Sequence, residues 1–257
     1  ASGLRDRNPA GGAVGRYLTR HCSAIAFGFF PGVPDGHDVF HKQIGINDFY
    51  LGDRGGSARG NGGPGPGKLG NLQQVQTPAN GVIRSALPDP LADALQPAAR
   101  RLVGLLALAE DSPRAGNRVE LDPAREDSGL PEIRIHHEYA GRDLEARSAL
   151  LSRAREILGR AGATFSYVHE IETFSHALGT VRMGEDPETA PLAPDGRYRG
   201  VDNLWVTDGS ALPTSGGVNP SLTIAANALR VGGGIADRLR EEGRVARVRA
   251  GEAGAER

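Results

Sequence analysis

Asn219-Pro220, at the end of a proline- and glycine-rich loop, is the point in this 257-residue chain that leaves folding the least choice. An asparagine side chain can accept from backbone N–H groups of a helix's first turn, and proline suits the first helical position, where its missing donor costs nothing. The sequence therefore predicts a helix from Pro220. Leu222, Ala225, Ala226, Leu229, Ala236 and Leu239 then recur at roughly helical spacing and give an apolar face. Gly232, Gly233 and Gly234 interrupt it, each costing about 1 kcal/mol against alanine in a helix interior, so either the helix breaks there or something packs close to its backbone. Upstream, residues 203–207 (NLWVT) read as a short buried strand and Asp208-Gly209 as a turn. Strand, turn, loop and helix start aim backbone N–H groups at a ligand; the helix N-terminus favours an anion by roughly 0.3 to 1 kcal/mol, and by about 2 when partly buried.

His176 lies before this unit, in FSHALGTVRMG at residues 174–184. An imidazole and an amide in two loops, with a strand and a turn between them, suit chemistry on a bound cofactor. Histidine is the natural base near neutral pH. The plainer readings are a core or capping histidine for His176, a helix cap for Asn219 and a simple turn for Asp208-Gly209.

Elsewhere the chain alternates strands and helices. Residues 22–50 suggest two strands, CSAIAFGFF and VFHKQIGINDFYLG, and a third is expected at 72–76. Helices are expected over 90–109 and 142–161, the second with Leu144, Leu151, Ala154 and Leu158 on one stripe. Strands are expected at 116–121 and 132–139; in the latter Ile133, Ile135, His137 and Tyr139 share a face, and His136 or His137 could line a cavity or a solvated strand face. His21 could face a cleft or lie at the surface. This order fits an α+β fold with a mainly antiparallel sheet and flanking helices.

Charge is nearly balanced, at −1, and aromatic residues make up 5%, which leaves no nucleic-acid footprint. No apolar run approaches the ~18 residues that span a bilayer. The single cysteine, Cys22, excludes an internal disulfide. His37 and His41 have helical metal-ligand spacing but strand-like neighbours and no third ligand, so no metal site is expected. With no signal peptide the expected location is the cytoplasm, if the true N-terminus is present.

SHALGTVRMG, NLWVTDGS, PTSGGVNPSLTI and ANALRVG, in that order, resemble the C-terminal signature of the glucose–methanol–choline (GMC) family of flavin oxidoreductases. Weaker similarity runs through VGRYLTRH, FHKQIGINDFYLG, LGNLQQ, GNRVELDP, SGLPEIRIHHEY and REILGRAGA. The resemblance implies alcohol oxidation on FAD, with His176 accepting the substrate hydroxyl proton as hydride leaves for flavin N5, and Asn219 orienting the hydroxyl or the flavin edge. It also implies cofactor contacts at Asp208, Gly209, Asn219, Pro220 and Ser221, with the helix N-terminus at the flavin pyrimidine carbonyl.

The family's N-terminal strand, GxGxxG loop and helix have no counterpart here. The glycine run at 60–70 is interrupted by Pro64 and Pro66 and follows no strand, so it reads as a surface insert over 52–70. The only methionine is Met183. The chain is therefore expected to be a C-terminal half: residues 1–21 the end of an FAD-binding domain, 22–173 a substrate-binding domain, 174–240 an active-site segment completing the FAD-binding α/β domain, and 241–257 a disordered tail. Its partners would be a small alcohol or sugar-like substrate and an FAD-binding half, in the same polypeptide or another. The alternative is a non-catalytic remnant or binding module. A Ser-His-Asp hydrolase is disfavoured, because Ser210 sits in DGSALP and no G-x-S-x-G elbow exists.

Overall fold

Small residues on every second position of one strand decide how the main domain packs. That strand, β1 (Cys22–Phe29), points Cys22, Ala24, Ala26 and Gly28 to one face of a sheet and Ile25, Phe27 and Phe29 to the other. The structure, a computed structural model, describes residues 3–32, 42–51, 68–76, 88–127, 129–171 and 175–255. The remaining strands of the sheet are β2 (Gly45–Ile46), β3 (Gly70–Gln76), β4 (Leu102–Ala109) and β7 (Phe165–Glu170), in the order β2-β3-β4-β1-β7, with every neighbouring pair antiparallel.

On the small-residue face lies the helix α3 (Gly141–Arg160), whose Ala146, Leu150, Leu151, Ala154 and Leu158 are buried against Ala24, Ala26, Leu72, Leu105 and Ala107. Gly28 admits the helix end, since a Cβ there would meet Ala163 Cβ at 2.9 Å. Each fully buried leucine contributes roughly 2 kcal/mol. Leu144, expected on this stripe, is exposed instead. Asp143, buried in the first turn, accepts from the backbone N–H groups of Ala140 and Ser112 at 3.1 Å and from Ser112 Oγ at 2.7 Å, and so fixes the helix start against the end of β4.

The expected helix over 90–109 is two elements, α2 (Asp89–Ala99) and β4. Leu and Ala dominate β4 and favour helix locally, but β1 and β3 pair with both of its edges and bury it, so tertiary context overrides propensity. The strand β7 had no sequence-based expectation; it zips to β1, stacking Tyr167 on Phe27 and Phe165 on Phe29 at centroid distances of 5.4 and 5.0 Å.

A separate ribbon pairs β5 (Arg118–Asp127) with β6 (Leu130–His136), and its Leu121, Ile133 and Ile135 are exposed. Where β6 ends, His137 and Tyr139 turn inward, away from the face they were expected to share with the isoleucines. His136 stays on the ribbon, bonded to Glu120 at 2.7 Å; with Arg118, it helps hold that carboxyl down at about 2.

Residues 175–220 form loops around a second apolar cluster of Leu192, Tyr198 and Ala211, joined by Leu4 of the short helix α1 (Leu4–Arg7) and by Val14, which follows a 3₁₀ turn at Gly11–Ala13. The strand expected at 203–207 is absent: Trp205 makes one isolated bridge to Arg197. The helix α4 (Ser221–Ala255) begins as expected, runs unbroken through Gly232 to Gly234 and continues to Ala255, through the stretch expected to be disordered. Nothing among the described residues lies within 4 Å of a Cβ added at those glycines, and Leu222 and Leu229 are 83% and 78% exposed. No described helix is long and apolar enough to cross a membrane. Leu69 is buried and Gly70 already belongs to β3, whereas residues 52–67 of the glycine-rich stretch, His37 and His41 lie outside the described residues.

Candidate active site

Two short segments far apart in sequence set the imidazole. Thr19 N–H donates to Leu178 O at 3.0 Å and Leu178 N–H to Thr19 O at 2.9 Å, an antiparallel bridge. Two residues further along each segment, this register puts His21 opposite His176. Their Nδ1 atoms are 2.8 Å apart, with the rings edge-on at 88°. His176 takes a left-handed backbone, φ 58°, which costs a non-glycine residue about 1 kcal/mol. Gly179, also at positive φ, lets the loop pass Tyr17, whose carbonyl oxygen occupies the place of a side chain.

His21 is 2% exposed, so the surface reading does not hold. Burial is the main cause that lowers its pKa to about 4, followed by the neighbouring His176; the backbone of Ser215 and Gly216 opposes the shift. The His176 imidazole is also lowered, by burial and then by the Lys42 charge. Both rings are therefore neutral at neutral pH.

The amide is set from the sheet. Gln73 lies on the face of β3 away from α3, beside Leu106, and donates through Nε2 to Asn219 Oδ1 at 2.5 Å. Lys42 Nζ donates to Gln73 Oε1 at 2.9 Å, and the same ammonium acts on His176. Lys42 thus acts on His176 and, through Gln73, is tied to Asn219. The amide oxygen serves Gln73 rather than capping the first turn of α4, because a side-chain donor from the sheet reaches it. Pro220 is buried, and its carbonyl accepts from Ile224 N–H at 2.8 Å. Ser221 is exposed at the helix start.

Asp208 and Gly209 do form a turn: Asp208 Oδ1 accepts from Ser210 N–H at 2.7 Å and opens a 3₁₀ turn over Gly209–Ala211. Gly209 is closely packed there. A Cβ would strike Leu178 at 2.6 Å and approach Ile224 at 3.2 Å, so this turn locks the His176 loop to the first turn of α4.

Sequence reasoning missed the group that holds these loops together. Asp111, fully buried past the end of β4, accepts at Oδ2 from Arg20 N–H at 2.9 Å and bonds His137 Nε2 at 2.7 Å, while its own N–H donates to Ser215 Oγ at 2.9 Å. Tyr139 Oη donates to His21 O at 3.0 Å. His137 and Tyr139 therefore fix the backbone beneath His21. An acidic residue directly after an apolar run was the available signal for Asp111; Gln73 gave none, its partner lying 146 residues away, and the cleft-facing reading of His21 named no partner, since His176 lies 155 residues away. Among the described residues no cluster of groups could hold a metal ion.

The family model described as GMC oxidoreductase matches residues 113–228. Paromamine 6'-oxidase of Streptomyces fradiae is 36% identical over 133 residues, 50% of this chain and 24% of that protein. The 2-methyl-1,2-propanediol dehydrogenase of Mycolicibacterium austroafricanum is 37% identical over 134 residues, 51% and 24% respectively. A crystal structure of pyridoxine 4-oxidase from Mesorbium loti shares the fold at a TM-score of 0.55 and 19% identity, covering 89% of this chain and 47% of that one. The matched region is thus about a quarter of the two sequence relatives' length. Residues 113–228 are thus similar to the GMC oxidoreductases, in the C-terminal part of that family.

Proposed function

We propose that this chain is the substrate side of an enzyme that oxidises the CH–OH group of a small alcohol or sugar-like molecule on FAD. The observation that carries the reading is the neutral His176, lowered in pKa by burial and by the Lys42 charge, with Lys42 tied through Gln73 to the Asn219 amide at the start of a long helix. A neutral imidazole can take the hydroxyl proton, and such general-base help is worth about 10² to 10⁴ in rate. Asn219, held through its oxygen, keeps its amide N–H groups to orient the hydroxyl.

The residues present fit the reacting end of the cofactor. The N-terminus of α4, with Asn219, Pro220 and Ser221, favours negative charge at the flavin pyrimidine, and the turn at Asp208 and Gly209 would lie against the ribityl and pyrophosphate part. FAD, when bound, supplies the hydride acceptor. Among the described residues no strand, glycine loop and helix follow one another to grip the ADP half. That grip would come from an FAD-binding half, in cis or as a partner chain, seated on the exposed leucines of α4. The paromamine and propanediol enzymes set the range of substrates to try first.

The test is co-expression of the chain with a GMC nucleotide-binding half. The expected result is a bound-flavin spectrum that bleaches with an alcohol substrate, and loss of bleaching with retained flavin in His176→Ala. Unchanged reduction in that variant overturns the assignment of His176. Flavin that no alcohol or sugar bleaches favours the binding-module alternative.

A further inference from the structure

Lys42, Gln73 and Asn219 stand in a row: Lys42 Nζ donates to Gln73 Oε1 at 2.9 Å, and Gln73 Nε2 donates to Asn219 Oδ1 at 2.5 Å. The two ends of a side-chain amide have nearly the same shape, so its hydrogen-bond partners decide which end faces which way. A lysine ammonium offers three donors and no acceptor, and only an oxygen can face it. With its oxygen turned to Lys42, Gln73 has N–H groups alone for Asn219, and Asn219 has to meet them with its own oxygen. The ammonium therefore decides the sense of both amides.

The segment that carries Lys42 is fixed against the same elements as the two amides. Gln74 N–H donates to Ile44 O at 2.9 Å, Gly45 pairs with Gln73 in the sheet, and Asn71 Nδ2 donates to Ile46 O at 3.2 Å. Further along, Tyr50 Oη accepts from Gly217 N–H at 3.3 Å, two residues before Asn219. Among the described residues no carboxylate pairs with Lys42 and competes with Gln73 for its ammonium. The sense of the row matters for proton transfer, because a substrate hydroxyl has one hydrogen and two lone pairs. Facing the Asn219 N–H groups, the hydroxyl accepts from the amide and its hydrogen is left for the base. Facing an amide oxygen, it would donate that hydrogen to the amide instead.

We infer that Lys42 is a positioning residue: acting through Gln73, it holds the Asn219 oxygen on the sheet and leaves the Asn219 N–H groups for a ligand, so that a bound hydroxyl accepts from the amide and keeps its hydrogen for the base. The catalytic consequence rests on the proposed roles of His176 and Asn219; the orientation of the two amides does not.

Side-chain amide NMR of the chain reads the orientation with neither flavin nor turnover. Expected is one Gln73 amide proton shifted downfield and protected from exchange, as the donor to Asn219, and no such proton on Asn219. The reverse pattern overturns the inference. Gln73→Glu keeps the size of the side chain and its bond to Lys42 but sets a carboxylate oxygen against Asn219, so the asparagine has to turn and the protected proton should move to Asn219. Lys42→Met removes the donor, and the two senses should then both be populated, whereas Lys42→Arg, still a donor, should restore the wild-type pattern. An unchanged pattern in Lys42→Met overturns the role of Lys42.

In the FAD-loaded enzyme kcat should fall about fiftyfold in Gln73→Glu and about twofold in Lys42→Met, with recovery in Lys42→Arg. These losses are read on the plateau above the titration of His176, where charge no longer changes the fraction of neutral base; a purely electrostatic effect would move the midpoint and leave the plateau. A wild-type plateau in Gln73→Glu overturns the positioning role. The expected amide pattern in a chain that oxidises no alcohol with its FAD-binding half would remove the proposed function and leave the orientation standing, whereas the reverse pattern in an active enzyme would remove this inference alone.

Discussion

Gln73 and Asn219, 146 residues apart, meet at 2.5 Å, Nε2 donating to Oδ1. The contact joins the open face of the sheet to the start of α4 and gives the asparagine a use different from the helix cap its sequence position suggests. A donor on its oxygen leaves the N–H groups as what the amide offers a ligand. Replacing Gln73 by Leu should therefore leave the fold intact and loosen the amide. In the FAD-loaded enzyme kcat should fall roughly five- to tenfold, the equivalent of one hydrogen bond of about 1 kcal/mol. Unchanged steady-state kinetics would show that Asn219 needs no support from the sheet.

Asp111 should matter to stability more than any other single polar residue. It is fully buried and satisfies Arg20 N–H and His137 Nε2 together. Asp111→Ala orphans both donors, and urea unfolding should show a loss of about 3 to 5 kcal/mol. A loss below about 1 kcal/mol would mean that the network reorganises at little cost.

The imidazole pair makes stability depend on pH with a definite sign. The folded-state pKa of His21 is about 4 against an ordinary 6.5, so between these values the unfolded chain binds a proton that the folded chain refuses. Stability is intact above pH 6.5, falls as pH drops through that window, and has lost roughly 3 kcal/mol from this group by its end. The lowered pKa of His176 acts in the same direction. Denaturant midpoints of the wild type minus those of His21→Gln, followed from about pH 7.5 to 4, should reveal this slope; a flat difference would contradict it.

Gly70 opens β3 at φ 132°, and a Cβ there would overlap the carbonyl oxygen of Leu108 on the neighbouring strand. Gly70→Ala combines backbone strain with that overlap and should cost about 3 kcal/mol or more in thermal unfolding. A melting temperature within a degree or two of the wild type would show that the strand end shifts freely.

The leucines of α4 should behave in the opposite way. Leu222 and Leu229 stand 83% and 78% exposed, so changing both to Ser should move the chain's own stability by no more than about 0.5 kcal/mol per site. If an FAD-binding half covers them, the same double variant should weaken its association at least tenfold in a titration. Equal affinity would place that half elsewhere.

Much of this protein was legible along the chain because it rests on local rules. The start of α4, the turn at Asp208, the stripe of α3 and the alternation in β3 each follow from a few consecutive residues, and the four ordered blocks around His176 and Asn219 were enough to indicate the family. The failures share one cause. Leu102–Ala109 was expected to be helix because its leucines and alanines favour one locally, and only two flanking strands make it the centre of a sheet. The triple glycine promised a break or a close neighbour, but the α4 backbone hydrogen bonds carry the helix through both expectations.

What the sequence by itself determined was which residue types stand where: an imidazole before a glycine-rich bend, an amide before a helix, small residues on alternate positions of β1. What only the tertiary structure decided was their partners. His21 meets His176 because Thr19 and Leu178 pair in register, Gln73 meets Asn219 because β3 turns that side chain away from α3, and Asp111 becomes a hub because burial leaves its carboxylate no water to bond. Local propensity acts over a few residues, whereas these pairings close loops of 91 to 155 residues, and it is the burial of the whole sheet that offsets the entropy of bringing such distant groups together.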